Sequence, residues 1–150
     1  MLIDDLHVSK CSLAQSHAQD ALAGISSLQL DLPITWTAGA QRGLSLSRMA
    51  ELWSRRPAEL AGLSSRKGAI EKGMDADFVV FDPHEEFVVD NDEFPVYHRH
   101  PHSTPFMHER LGGKVKATFV RGELVFLEGY PHAEHSASGC GKSLLKHRDF

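Results

Sequence analysis

Four histidines crowd into one stretch of this 150-residue chain: His98, His100, His102 and His108. On an extended strand, alternation would bring the imidazoles of His98, His100 and His102 to one face, a set able to bind zinc or nickel. Pro101 and Pro105 interrupt such a strand, and no carboxylate lies inside the cluster to orient the rings. A polar loop with packed or hydrogen-bonded histidines is therefore the favoured reading. His132 and His135 fall in a polar tail and read as solvated. Asp75 and Asp77 could form a carboxylate pair for acid–base work. Two acids at i and i+2 at a strand entrance more often accept from backbone donors in a turn. Asp90, Asp92 and Glu93 make a negative run without the glycine and closing glutamate of a calcium loop.

Two further groups fail on their context. Gly139-Cys140-Gly141-Lys142-Ser143 ends like a phosphate-binding loop, but Ser136 stands where its first glycine is required and no strand precedes it. Cys140 has neither a helix terminus nor a base beside it to make a nucleophile. Ser26-Ser27 lacks the elbow motif of a serine hydrolase. The residues alone give no catalytic set and no metal set.

The elements that would position these groups change character along the chain. Leu22, Ile25, Leu28, Leu32 and Trp36 recur at three and four residues, which predicts a helical stripe over 21–40 with a break near Asp31–Pro33. Gly43 reads as a stop. Ser45 is an N-cap candidate for a second helix with Leu46, Met49, Leu52 and Trp53 on one face. Pro57 then restarts a short helix after a corner, and Gly62 closes it. From Lys67 the rhythm is turn-rich. Asp77–Asp82 reads as a short buried strand closed by Pro83, and Phe87–Val89 as another. Lys114–Phe119 alternates, with Val115, Ala117 and Phe119 on one side and Lys114, Lys116 and Thr118 on the other. Glu123–Glu128 returns as a strand. Arginine is a poor first residue for a two-residue turn, so a three-residue loop with Gly122 in a bulge is expected at Arg121-Gly122. Residues 1–20 are expected to be poorly ordered, and the tail 131–150 loosely held.

Composition bounds the function classes. The net charge is −4, hydrophobic residues make up 41% and charged residues 24%. A mildly acidic chain lacks the basic footprint of a nucleic-acid binder. No stretch approaches the length of a membrane span, and the first ten residues carry Asp4 and Asp5 rather than the apolar run of a secretory signal. Cys11 and Cys140 fit a reducing compartment, so a cytoplasmic location is expected.

Several words then carry a resemblance. Lys67-Gly68-Ala69-Ile70-Glu71-Lys72-Gly73-Met74-Asp75-Ala76-Asp77-Phe78-Val79-Val80-Phe81-Asp82 resembles the C-terminal hallmark of metal-dependent amidohydrolases. Leu28-Gln29-Leu30 with Leu32-Pro33, His98-Arg99-His100 with Thr104-Pro105-Phe106, and the hairpin from Lys114 to Phe126 are similar to segments of the allantoinases within that superfamily; hydantoinases and dihydroorotases share parts of them. The resemblance implies an α/β fold built from the C-terminal part of an amidohydrolase (β/α)8 barrel and strands of its small β-sandwich, incomplete as a stand-alone fold. It implies terminal barrel helices over 21–66, sandwich strands and a connecting loop over 67–130, and an atypical segment over 1–20. It implies hydrolysis of allantoin, a cyclic ureide, to allantoate in purine catabolism. Zinc serves the intact enzymes and is expected to be absent from this chain, because the ligand words cannot be matched; Asp4 and Asp5 do not take the ligand role. Gly24 is the one residue expected beside substrate. The chain is expected to be inactive alone, with a homo-oligomer possible in the intact family. The alternatives are a non-catalytic module that pairs with a full-length subunit, and a fragment of dihydroorotase or hydantoinase type.

Overall fold

Pro33 decides where the first helix begins. Proline has no N–H to donate, which costs nothing in the first turn of a helix, where no carbonyl waits for it. A computed structural model describes residues 27–90, 94–97, 104–130 and 141–144. In it, helix α1 runs Asp31–Ala40 with buried Pro33 in its opening turn, and Asp31 sits where a negative charge meets the positive end of the helix. The expected break is thus the start of the helix. Residues 27–30 form a turn instead, closed by the Leu30 N–H on the Ser27 carbonyl at 2.6 Å. A helical period has no force across a turn, so Leu28 lies exposed while Leu30 is buried. The Leu22 and Ile25 part of the stripe lies outside the described residues.

The chain divides into two compact units, Met1–Arg42 with Pro83–Lys114 and Gly43–Asp82 with Val115–Phe150. The core of the first is Leu30, Phe87, Val89 and Leu111, with Ile34, Phe94, Val96 and Phe106 packed against it. Phe87 and Phe94 stack with ring centroids 4.1 Å apart.

In the second unit, Ser45 caps helix α2 (Leu46–Ala50), its hydroxyl accepting the Arg48 N–H at 3.2 Å. The expected corner before Pro57 is absent. The helix instead widens into a π-helical turn, Glu51–Arg55, and continues directly as α3 (Arg56–Leu60). Pro57 cannot return a hydrogen bond to the carbonyl four residues back, and a locally widened turn absorbs that loss while the helical run continues. The run ends on paired bonds from the Gly62 N–H to Glu59 and from the Leu63 N–H to Ala58, with Gly62 left-handed at φ +66°. The expected apolar face is also corrected. Only Met49 and Ala58 are buried along this run, and Leu46, Leu52 and Trp53 are exposed.

Strands β1 (Phe78–Val88), β2 (Arg110–Val120) and β3 (Glu123–Leu127) form one sheet in that order. Two expectations fail here. Pro83 does not end a strand. It lies inside one continuous β1, which joins the two expected strands, and Phe78, Val79 and Val80 are exposed rather than buried. A proline is tolerated on an edge strand because its missing donor need not face a neighbour. The Pro83 carbonyl is occupied by the Trp36 indole N–H at 2.9 Å. At the hairpin, Val120 pairs with Glu123, so the loop holds only Arg121 and Gly122. Both are left-handed, at φ +56° and +85°, as a tight primed turn requires. The irregularity in register falls between Thr118 and Phe119, not at Gly122.

One side chain ties α1 to β2 in the first unit. The Thr37 hydroxyl donates to the Pro33 carbonyl at 2.7 Å and accepts the Gly112 N–H at 2.8 Å. Thr37→Val keeps the shape and strands that N–H. We expect a loss of about 1 kcal/mol in denaturant unfolding, the cost of losing hydrogen bonds at a half-buried donor, while Thr37→Ser stays closer to the parent.

Candidate functional site

Four charged groups converge where the turn-rich stretch meets β1: Arg66, Lys67, Asp75 and Asp77. The Lys67 ammonium lies 2.9 Å from an Asp75 carboxylate oxygen and also meets Asp77. Arg66 adds a second cation, with Nη2 at 3.0 Å from Asp75. The two carboxylates are brought to one place by the turn-rich stretch before β1. The Asp75 N–H bonds back to the Arg66 carbonyl at 3.0 Å, which closes the loop 66–75. Gly68 makes that closure possible. It is left-handed at φ +95°, and a Cβ there would lie 2.8 Å from the Ala58 Cβ and 3.1 Å from the Arg55 Cα, so only glycine fits against the helix.

Asp77 does more than pair with Lys67. Its Oδ1 accepts the Arg121 N–H at 2.7 Å, and the Ala76 carbonyl accepts the Gly122 N–H at 2.9 Å. Asp77 thus takes the backbone-satisfying role expected of both acids, whereas the Asp75 carboxylate pairs with Lys67 and Arg66 instead; the Asp77 bond accounts for the tight turn at Arg121-Gly122. Arg121 adopts an unfavourable left-handed conformation because Asp77 holds its N–H there. The signal in the sequence was the Lys67-to-Asp77 spacing, readable only if the loop is already known to close.

The electrostatics follow from contact. The hydrogen bond from Lys67, reinforced by Arg66, holds the Asp75 carboxyl below its ordinary range. Burial pushes Asp77 upward, but the bonds from Lys67 and from the Arg121 N–H outweigh it and the net direction is down. Asp77, opposed by burial and helped by Asp75, raises the Lys67 ammonium above its ordinary value. At neutral pH the amine is therefore a fixed cation, not a base or nucleophile, and both carboxylates are ionised and occupied. The cluster fastens a loop to a hairpin. It has no free group for proton transfer.

The residues singled out from sequence are placed unevenly. Gly24, Ser26, His98, His100, His102, Asp92, Glu93, His132, His135 and Cys140 lie outside the described residues. His108 is exposed and left-handed at φ +68°, and its backbone N–H bonds to the Val89 carbonyl at 2.7 Å. The Asp90 carbonyl accepts the Phe94 N–H at 3.0 Å. Gln29 was missed. Its amide donates to the Pro95 carbonyl at 2.9 Å and accepts the Tyr97 N–H at 2.8 Å, pairing with residues 95–97 as a neighbouring strand would. Among the described residues no group of three His, Cys, Asp or Glu side chains could hold a metal ion. The carboxylates that do converge are already neutralised by Lys67 and Arg66, so this part of the chain does not fit a zinc site. No helix among the described residues is long and apolar enough to cross a membrane.

Comparison with known proteins gives this architecture its relatives. The amidohydrolase family model matches residues 31–126. The chain is 49% identical to the allantoinase of Arabidopsis thaliana over 125 residues, 83% of this chain and 24% of that protein. It is 46% identical to a probable allantoinase of Oryza sativa subsp. japonica over the same shares. Among solved structures, the L-hydantoinase (dihydropyrimidinase) of Arthrobacter aurescens superposes with a TM-score of 0.61 at 33% identity, covering 71% of this chain and 23% of that one. The chain spans about a quarter of the length of the curated relatives it matches. It belongs to the amidohydrolase family.

The charged cluster yields a mutational cycle and a pH profile. Asp77→Ala removes the acceptor for the Arg121 N–H and should cost about 1 kcal/mol in chemical denaturation. Adding Arg121→Gly, which relieves the left-handed backbone, should recover about that amount; a purely additive cycle would disprove the coupling. Because the Asp75 and Asp77 values are depressed, their stabilisation is present above about pH 4 and lost as pH falls through the folded values. Because the Lys67 value is raised, its contribution is present below about pH 10.5 and lost as pH rises through the folded value. Melting temperature against pH should fall at both ends for the parent and flatten at both ends in Lys67→Met.

Proposed function

We propose that this chain is the helix-and-sheet portion of a cyclic amidohydrolase that opens the ring amide of allantoin to give allantoate. The observation that carries this reading is the 49% identity to the Arabidopsis allantoinase across 83% of the chain. In this reading, residues 21–66 are terminal helices of the barrel, residues 67–130 carry the sandwich strands and their connecting loop, and the backbone of Gly24 borders the substrate. Enzymes of this family are metal-dependent, and a bound zinc supplies hydroxide at neutral pH and polarises the carbonyl. In this reading the part played by the described residues is architectural. Thr37 fixes α1 to β2, Gln29 aligns residues 95–97, and Asp77 holds the hairpin turn.

A second reading has its own support. The likeness to the Arthrobacter L-hydantoinase, at a TM-score of 0.61, favours a hydantoin-type ring as substrate. Both readings concern hydrolysis of a five-membered cyclic amide, and both make the chain inactive alone.

Purified chain should open neither ring with zinc supplied. Combined with the portion of the Arabidopsis allantoinase outside the matched stretch, it should hydrolyse allantoin at least about tenfold faster than hydantoin, a difference of about 1.4 kcal/mol in transition-state binding. Zinc-dependent turnover by the chain alone would overturn the inactivity. A preference for hydantoin would overturn the substrate.

A further inference from the structure

We draw no further inference here: the strongest candidate, the exposed apolar run Phe78, Val79 and Val80 on the edge strand β1, carries nothing because nothing in the structure shows what covers it.

Discussion

The Asp77 carboxylate gripping the Arg121 N–H is the constraint on which the second unit depends. A non-glycine residue in the left-handed region costs roughly 1–2 kcal/mol, and Arg121 stands there at φ +56°. The turn persists because Asp77 sits opposite it with an oxygen at 2.7 Å. Asp77 in turn is placed by Lys67, and Lys67 by a loop that closes only because Gly68 has no side chain to strike Ala58. Each step removes freedom from the next. A helix end, a glycine, a lysine, an aspartate and a hairpin thus form one chain of dependence within residues 54–122.

The first unit relies on polar side chains used as staples between separate elements. Gln29, Thr37 and Trp36 each bond to backbone at least 47 residues away. Backbone groups at strand edges and in irregular segments must find partners, and here side chains of α1 and the turn before it supply them. Thr104, buried at 5% exposure, does the same locally by accepting the Phe106 N–H. The words that resemble allantoinases, Leu28-Gln29-Leu30 and Thr104-Pro105-Phe106, contain the anchors of this unit. Leu30 lies in its core, Phe106 packs on that core, and Gln29 and Thr104 satisfy backbone groups.

Local signals were legible where local physics decides. Ser45 caps a helix because its hydroxyl reaches three residues forward, and Gly62 ends one because only a left-handed residue lets the last carbonyls be met. The alternation at Lys114–Phe119 survives as the middle of β2. Its lysines on one side meet Glu85 and Glu128, and Ala117 on the other is buried. Pro83 and Arg121 were misread for one reason. Each breaks a local rule that a distant partner overrides, an edge position with the Trp36 indole in one case and Asp77 in the other. The run Phe78–Val80 misled differently. Its composition signals burial, yet within the described residues it is exposed. Of the candidate site, Asp77 was legible as a turn device, whereas the pairing of Asp75 with Lys67 was not, because only loop closure brings them together.

Charge placement finally separates the two kinds of surface on this molecule. The carboxylates and cations around Lys67 are arranged to cancel, and their shifted proton affinities record attraction, not the mismatch of environments that tunes an acid against a base. Groups committed in this way cannot also turn over a substrate, since moving a proton would break the contacts that hold the turn. Apolar side chains on the helical run 46–60 show the opposite economy, with large exposed area and no reward within their own unit. Among the described residues, the charges around Lys67 are matched by one another while these apolar side chains stay exposed. The committed polar groups set the hairpin turn in one unit and staple a helix to a strand in the other.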